Sequence, residues 1–325
     1  MLAFCIRRLA QSAGVLFFMS VLVFAGVYAV GNPMDILVSP QADQAEIARA
    51  TAALGLDRPL AEQYLLFLRD AAAGDLGNSF AYNVPALGLI LERMPATIEL
   101  AAAAMLIALL LGIPLGLWAG VEPRSGAAKA ISFGSIIGFS LPTFWVGLML
   151  IMVFSVWLGW LPASGRGPTA GIAGIQVSFL TAEGARHLLL PAASLALFNL
   201  SLVVRLVRSG AREAMRQDYV RFARAKGLSE GRVVATHVLR NVLVPVVTVA
   251  GVQFGSVIAF AVVTETIFAW PGMGKLLIDS IYRLDRPVIV AYLMVIVAMF
   301  VVINFVVDVI YTLLDPRVRL SGREA

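Results

Sequence analysis

A polar, helix-prone stretch interrupts the apolar second half of the chain: Arg205-Leu-Val-Arg-Ser-Gly-Ala-Arg-Glu-Ala-Met-Arg-Gln-Asp-Tyr-Val-Arg-Phe-Ala-Arg-Ala-Lys-Gly-Leu-Ser-Glu230. Nine of the 25 Lys and Arg residues lie between positions 205 and 240, together with three acidic residues. Long apolar segments precede and follow this stretch. We therefore expect an element in the aqueous phase here, carried between two membrane-crossing helices.

The composition is that of a membrane protein. The 325 residues are 60% hydrophobic and only 14% charged, whereas about a quarter of the residues of a soluble domain are charged. The apolar runs are long enough to cross a bilayer as helices, which takes about 20 residues. We predict an all-α integral membrane protein with six transmembrane helices, at Leu9–Val30, Thr97–Ala119, Ile131–Trp157, Leu188–Leu206, Val242–Ile267 and Val288–Leu314.

The few cysteines and histidines argue against several kinds of site. Cys5 is the single cysteine, so neither an intrachain disulfide nor a thiolate metal cluster can form. The two histidines, His187 and His237, are far apart in sequence, so we predict no metal site and no catalytic site. We assign the net charge of +5 to loop orientation rather than to nucleic-acid binding.

Charge distribution assigns the loops to the two sides of the membrane. Residues 31–95 carry eight acidic and four basic residues, which suits the outer side, and we predict a small external subdomain there. Basic residues at the N-terminus, in the turn 120–130, in the 205–240 stretch and in the tail place these segments and both termini in the cytoplasm. The predicted organisation is a cytoplasmic start with the first span (1–30), the external subdomain (31–95), a five-helix core with a cytoplasmic loop at 209–240 (96–314), and a tail (315–325).

The first apolar run has an alternative interpretation as a signal peptide. Its 22 residues exceed the 7–15 apolar residues that are usual in a signal peptide. We therefore predict a retained first span.

Glycine and proline positions predict how the spans pack. Gly112, Gly116 and Gly120 form a seam of small residues that permits close approach of another helix, and Gly134 with Gly138 form a second seam. Pro95 is expected near the first turn of the second span, where its missing N–H costs nothing. Pro142 is expected to kink the third span.

Within the basic stretch, the pattern predicts two short helices joined by a glycine. The first covers Gln217–Lys226 and ends at Gly227, and the second begins after Ser229, a residue suited to an N-cap. Helical spacing places Tyr219, Phe222, Ala223 and Lys226 on one side of the first helix, where they would dock into a groove of a partner. The alternative is an amphipathic helix that lies on anionic lipid.

Several motifs carry a family resemblance. The segments Asp218-Tyr-Val-Arg-Phe-Ala-Arg-Ala-Lys-Gly-Leu228 and His237-Val-Leu-Arg-Asn241 resemble the cytoplasmic loop of ABC-importer permeases of the dipeptide, oligopeptide and nickel class. In the wider superfamily this loop begins Glu-Ala-Ala, with glycine four residues after the last alanine. Ala223 and Gly227 match those positions, while Arg221 and Phe222 replace the Glu-Ala pair. Further matching segments are Gly74-Asp-Leu-Gly-Asn-Ser79, Arg93-Met-Pro-Ala-Thr-Ile-Glu-Leu100, Leu141-Pro-Thr-Phe-Trp145, Leu190-Pro-Ala192, Glu265-Thr-Ile-Phe-Ala-Trp-Pro-Gly-Met-Gly274 and Asp308-Val-Ile-Tyr-Thr-Leu-Leu-Asp-Pro-Arg317.

The resemblance implies a type I importer permease fold in the inner membrane and the position of the first of two sister permeases. It implies a homologous second permease, two ATPase subunits and an external solute-binding protein, with ATP and Mg²⁺ used by the partners. The sequence contains no G-x-x-x-x-G-K-[ST] motif, so we predict that this chain itself hydrolyses no ATP. The residues that the resemblance assigns to contact with the ATPase are Asp218, Tyr219, Arg221, Phe222, Ala223, Arg224, Ala225, Lys226 and Gly227. A di- or oligopeptide is the expected cargo, with nickel chelates, glutathione and opine-like solutes as alternatives.

Five polar residues in or near the spans are candidates for the transport pathway or for gating. Ionisable groups in a membrane are functional candidates because their burial is costly. Glu99 and Glu265 lie near the outer ends of spans, where solvated caps are the other interpretation. Asp308 has a structural or a gating role, and Asn199 and Asn304 line a polar path or bond between helices.

Two other functional classes fit the sequence less well. A membrane-embedded enzyme needs a convergent nucleophile–base or metal set, which the sparse His, Cys and intramembrane acids do not provide. A channel or receptor does not need the helix–glycine–helix loop. We therefore favour the permease interpretation.

Overall fold

The computed structural model describes residues 2–29, 43–45, 51–52, 57–172 and 174–314. The tail 315–325 and most of residues 30–56 in the expected external subdomain lie outside the described residues. In the described ranges the elements are α1 (Leu2–Ala29), α2 (Leu60–Ala72), α3 (Ala86–Val121), α4 (Gly126–Ser140), α5 (Thr143–Leu150, continued as a π-helix over Ile151–Trp157), β1 (Ala170–Ile172), β2 (Ile175–Val177), α6 (Ala182–Ala214), α7 (Asp218–Ala225), α8 (Glu230–Val233, continued as a π-helix over Val234–Val238), α9 (Leu239–Ile267), α10 (Met273–Tyr282) and α11 (Arg286–Leu314).

The helices confirm the predicted all-α membrane architecture. Among the described residues, five helical segments are long and apolar enough to cross a membrane: Ile6–Gly26, Ala86–Val121, Ala182–Ala214, Glu230–Ile267 and Arg286–Val309. The helix pair Gly126–Ser140 and Thr143–Trp157 passes the same test when it is counted as one span. With this pair as the third span, the structure has the six expected spans.

The third span is broken rather than kinked. Its two halves are bent by 108° at Leu141 and Pro142, both of which are extended. Pro142 has no N–H to donate to the preceding turn, and a proline disfavours helical backbone at the residue before it. Helix α4 therefore ends at Ser140 and a separate helix begins at Thr143. The kink that we expected at Pro142 was an underestimate.

Several helix ends lie outside the predicted spans. Helix α3 begins at Ala86, eleven residues before the expected start at Thr97, so Pro95 lies inside it rather than in its first turn. Helix α6 continues through the basic residues Arg205–Arg212, and the helical run of α8 and α9 begins at Glu230. Apolarity marks only the part of a helix in lipid, whereas Arg and Glu continue the same helix into water because they are good helix formers. Outside these two long helices, the basic connection is therefore confined to residues 215–229.

A two-stranded hairpin lies in the loop after the third span. Strands β1 and β2 pair antiparallel, with Gly171 opposite Gln176. Gly174 lies in the turn with φ +84°, a conformation that only glycine adopts readily. Thr181 then caps α6, since its side chain accepts a hydrogen bond from the backbone N–H of Gly184 at 2.9 Å.

One compact unit comprises residues 1–95 and 272–302. In it α1 contacts α2 through a hydrogen bond between the Ser20 and Tyr64 hydroxyls (2.8 Å) and an edge-on contact of the Phe24 and Tyr64 rings. Asp285, immediately before α11, is fully buried. Its carboxylate accepts hydrogen bonds from the Ser79 hydroxyl and from the backbone N–H groups of Phe80 (3.0 Å) and Ala81. The Gly74–Ser79 motif is thereby fixed to the start of α11.

The second compact unit comprises residues 96–271 and 303–325, and α6 is its central helix. Helices α4, α5 and α9 all pack on α6. The predicted seam on α3 also faces α6: a Cβ added to Gly112, Gly116 or Gly120 would lie 2.6–2.8 Å from the nearest atoms of Val203, Val207 and Ala211.

The second predicted seam is only half correct. A Cβ at Gly138 would lie 2.5 Å from the Ser201 hydroxyl on α6. One at Gly134 would meet nothing within 4 Å, so this glycine has no close neighbour among the described residues.

We predict that Gly116→Ala destabilises the protein, because the new methyl would overlap both Val207 and the backbone oxygen of Val204, which cannot move aside. Overpacking of this kind costs about 1–3 kcal/mol. Gly134→Ala is the matched control and should be neutral or stabilising, since alanine is the better helix former by about 1 kcal/mol. Thermal unfolding of the purified protein in detergent measures both. Equal melting temperatures for the two variants would contradict a close contact at Gly116.

Candidate functional site

Helix α7 is held against the ends of two long helices by its apolar face. Val220 and Ala223 are buried, and they belong to a cluster whose other buried members are Val203, Val207, Ala211 and Ala214 of α6 with Val233, Val238, Val242 and Val246 of α8, its π-helical continuation and α9. Leu228 packs against the same cluster. The short helix is thus anchored by side-chain packing to both helices that it connects.

Polar contacts fix the ends of α7. The Arg224 guanidinium donates two hydrogen bonds to the Glu230 carboxylate, at 2.7 and 3.0 Å, which joins the last turn of α7 to the first turn of α8. The hydrogen bond with Glu230 raises the pKa of Arg224 above its ordinary value. The Asn241 side-chain amide donates to the Tyr219 hydroxyl at 2.9 Å. These contacts join α7 to the helical run that follows it.

The predicted glycine stop is at Gly227, which has φ +78°. The Gly227 N–H donates a hydrogen bond to the backbone carbonyl of Arg224, and the Leu228 N–H donates one to the backbone carbonyl of Ala223. These two bonds close the helix end in the manner of a left-handed C-cap. Ser229 has the extended backbone of an N-cap residue, as expected, but its side chain makes no capping hydrogen bond.

The outer face of α7 is exposed and mixed in character. Phe222 is 62% exposed with the Lys226 ammonium 4.6 Å from its ring centre, and Tyr219 is also exposed. Asp218, Arg221, Arg224, Ala225 and Gly227 are exposed as well. The placement of Ala223 on this face was wrong, because its side chain is 4% exposed and packs inward beside Val220. The predicted role of these residues in contacting a partner stays a prediction.

Glu99 is buried in an ion pair instead of being a solvated cap. The Arg166 guanidinium donates to Glu99 Oε2 from Nε (3.0 Å) and Nη2 (2.5 Å). Glu99 Oε1 accepts from the Ser178 N–H (2.6 Å), the Ser178 hydroxyl (2.8 Å) and the Phe179 N–H (3.0 Å). Arg166 also donates to the Gln176 carbonyl and lies 5.7 Å from the Trp270 ring centre. One carboxylate on α3 therefore holds both ends of the segment that carries the hairpin.

Glu265 is likewise buried rather than solvated. It is completely inaccessible, and the Thr97 hydroxyl donates to its Oε1 at 2.6 Å. Close by in the sequence, the indole N–H of the fully buried Trp270 donates to the carbonyl of Ala96 at 2.9 Å. Buried polar contacts thus join α3 to the C-terminal end of α9 and to the segment that follows it.

A cavity of about 550 Å³ lies among α5, α6 and α9 and is open on one side. Asn199 lines it from α6 and is 5% exposed. Gln253 lines it from α9, and its amide donates to Asn199 Oδ1 at 3.5 Å. Asn304 and Asp308 are half-buried on α11 and do not line this cavity. The structure therefore brings one of the five pathway candidates to a cavity.

Three polar residues of these networks were not singled out from the sequence: Arg166, Ser178 and Gln253. Gln253 carried a usable signal, since a side-chain amide in the middle of an apolar span is costly unless it has a role. Arg166 and Ser178 lie in a loop rich in Gly and Pro, where no periodicity marks a partner for Glu99.

Comparison with known proteins gives matches along nearly the whole chain. The family model "Binding-protein-dependent transport system inner membrane component" matches residues 112–320, and "Binding-prot-dependent transport system membrane comp, N-term" matches residues 1–101. The Di/tripeptide transport system permease protein DppB of Pseudomonas aeruginosa (strain UCBPP-PA14) is 43% identical, over 98% of this chain and 99% of its own length. The Oligopeptide transport system permease protein AppB of Bacillus subtilis (strain 168) and the Dipeptide transport system permease protein DppB of Escherichia coli (strain K12) are 38% and 37% identical, each over 98% of this chain and 99% of its own.

A solved structure has a similar fold. A chain of the inward-facing MetNI methionine ABC transporter superposes with a TM-score of 0.54 at 17% identity, over 70% of this chain and 96% of that chain. At this identity the likeness concerns the fold alone.

We predict that Glu99→Gln destabilises the protein by about 3–5 kcal/mol, because it leaves the Arg166 guanidinium buried without its counter-charge. Glu62→Gln is the matched control, since its ion pair with Arg58 is half-exposed and contributes about 0–1 kcal/mol. The double change Glu99→Gln with Arg166→Met should lose less stability than Glu99→Gln alone. Thermal unfolding and limited proteolysis between residues 160 and 181 measure the effect, and equal losses for Glu99→Gln and Glu62→Gln would contradict the buried pair.

Proposed function

This chain belongs to the family of binding-protein-dependent transport system inner membrane components, and we propose that it is the first of two sister permeases in an ATP-driven importer of di- or oligopeptides. The chain is a multi-pass permease subunit of the inner membrane with the type I ABC importer fold. The peptide cargo is supported by the names of relatives that match it end to end.

The proposed partners are a homologous permease, two ATPase subunits and an external solute-binding protein. Hydrolysis of ATP with Mg²⁺ belongs to the ATPase subunits in this proposal. We place both termini and α7 in the cytoplasm, on the basis of the Lys and Arg residues between positions 205 and 240. Residues 31–95 then lie on the outer side, where a binding protein delivers its solute.

The observation that supports the proposed mechanism is that α7 has one exposed face and one buried face. Its outer face presents Tyr219, Phe222 and Lys226 to a partner, in the manner of an amphipathic helix that docks into a groove. Its inner face is packed into the buried cluster formed with α6 and α9. Close-packed interiors transmit displacement because they have little free volume. A movement of the ATPase against α7 would therefore be transmitted to both spans.

We predict that Phe222→Ala weakens association with the ATPase subunits about thirtyfold and reduces ATP-dependent peptide uptake in parallel. Exposed aromatic side chains at the centre of an interface contribute about 2 kcal/mol or more. The control is Phe133→Ala, because Phe133 on α4 is 66% exposed and far from α7 in sequence. Co-purification and uptake in proteoliposomes measure the two effects. Undiminished association and uptake would reject α7 as the docking element.

Gly227→Ala should uncouple hydrolysis from transport. Alanine at φ +78° costs about 1–2 kcal/mol and shifts the end of α7, although its methyl group meets nothing within 4 Å. Gly231→Ala is the matched control, since it introduces the same methyl into equally open space four residues later without a positive φ. The number of ATP molecules hydrolysed per peptide imported should rise for Gly227→Ala only. The same ratio in both variants would contradict a coupling role for this glycine.

A further inference from the structure

The cavity among α5, α6 and α9 has the size of a small-molecule site. Its volume of about 550 Å³ lies within the range of roughly 300–1,000 Å³ that is typical of ligand pockets. Apolar residues form most of its wall, including the rings of Phe144, Phe198 and Phe260. The polar side chains of the wall are Thr143, Asn199, Gln253 and Ser256. No charged side chain lines it among the described residues.

The two amides of the wall leave hydrogen-bonding capacity unused. The bond from Gln253 to Asn199 is long at 3.5 Å, and the Asn199 amide donates no hydrogen bond to any described residue. A primary amide has two donor hydrogens and an acceptor oxygen, so the pair retains hydrogen-bond donors and acceptors for a ligand. The Ser256 hydroxyl, one helical turn from Gln253, also makes no hydrogen bond within the described part of the chain. Such groups are costly to bury without a partner, which favours an occupant that supplies both acceptor and donor.

The break in the third span gives the cavity a polar edge. Thr143 and Phe144, the first two residues of α5, lie in its wall. Non-helical backbone such as that at Leu141 and Pro142 is tolerated at membrane depth only inside protein or beside a water-filled space. Discontinuous helices of this kind form substrate sites in many transporters. These observations favour an occupant from water over a lipid chain.

The chemistry of the wall selects the class of occupant. Carboxylate, ammonium or metal groups would require a counter-charge in such a site, and the described wall has none. A secondary amide presents one carbonyl oxygen and one N–H, which the Asn199 and Gln253 amides match in kind and charge. The aromatic side chains of the wall contact apolar parts of a peptide without selecting a particular peptide side chain.

We propose that Asn199 and Gln253 form a subsite that hydrogen-bonds a backbone amide of the peptide during its passage through the permease. This inference rests on the proposed peptide import and adds to it a site on this chain. The subsite recognises the peptide backbone and not the side chains, so it suits a cargo of varied sequence.

The test uses the complete transporter in proteoliposomes, with its sister permease, ATPase subunits and binding protein. The initial uptake rates of trialanine and of trialanine N-methylated at the amide nitrogen of its central residue are compared for wild type, Asn199→Leu and Gln253→Met. Thr248→Val is the control, because Thr248 lies on α9 outside the cavity and its hydroxyl bonds only the carbonyl of Val244 among the described residues. All variants use the same binding protein, so any change in the ratio of the two rates arises in the permease.

We expect wild type and Thr248→Val to import trialanine about tenfold faster than the N-methylated peptide, since methylation removes the donor hydrogen of one hydrogen bond. Asn199→Leu and Gln253→Met should import trialanine about tenfold more slowly and lose most of this preference. An unchanged preference in both variants, with peptide import intact, overturns the subsite alone. Loss of the sister permease from either variant on co-purification also overturns it, because the cavity wall would then be a subunit interface. A wild-type transporter that imports neither peptide overturns the proposed function as well.

Discussion

Close packing between α3 and α6 is the constraint on which the second compact unit depends. Lipid is as apolar as a leucine side chain, so helices in a membrane gain little by hiding apolar surface from each other and associate through packing and hydrogen bonds. Gly112, Gly116 and Gly120 supply that packing, because the absence of Cβ atoms lets Val203, Val207 and Ala211 approach the backbone of α3. Helices α4, α5 and α9 then pack on other faces of α6. The position of α6 therefore determines the position of every other span of this unit that contacts it.

The same residues connect this contact to α7. Val207 and Ala211 meet the glycine seam of α3, and both also belong to the buried cluster that holds Val220 and Ala223. A displacement of α7 thus acts on side chains that have no free space on either side. Arg224, through Glu230, connects the end of α7 to α8. The short helix is consequently packed against both spans that it connects, as the proposed mechanical input through α7 requires.

The sequence was most informative where structure depends on near neighbours. The apolar spans, the short helix at 218–225 and its end at Gly227 follow from periodicity and from the backbone freedom of one glycine. Spacing grouped Ala223 with Tyr219, Phe222 and Lys226, but Ala223 packs inward while the other three are exposed. Adjacent positions of a helix are about 100° apart, so Phe222 faces outward although Ala223 does not. The adjacent apolar Val220 was the available clue.

Contacts between distant segments were not predictable in this way. Glu99 was recognised as a costly residue, but its partners Arg166 and Ser178 follow it by 67 and 79 positions in the chain. Solvation and burial in an ion pair are both ways to accommodate a carboxylate near a membrane, and a single sequence does not distinguish them. Asn199 and Gln253 likewise meet only through the packing of α6 on α9. The 108° break at Pro142 depends on how each half of the span packs, whereas proline alone indicates only a lost hydrogen bond.

Helix α6 packs against α7 and also lines the cavity, so it connects the two physically. It supports both halves of the broken span, since Gly138 of α4 lies against Ser201, and the Ser194 hydroxyl donates to the carbonyl of Thr143 in α5 at 3.2 Å. Asn199 lies between these two contacts and lines the cavity. From Asn199 to Ala211, in the cluster with α7, is about three turns, or roughly 18 Å of uninterrupted helix. A rotation of α6 imposed at its α7 end would therefore move Asn199 relative to Gln253 and open or close the space between α5 and α9. In the proposed mechanism no separate relay is needed, because α6 both contacts α7 and lines the cavity.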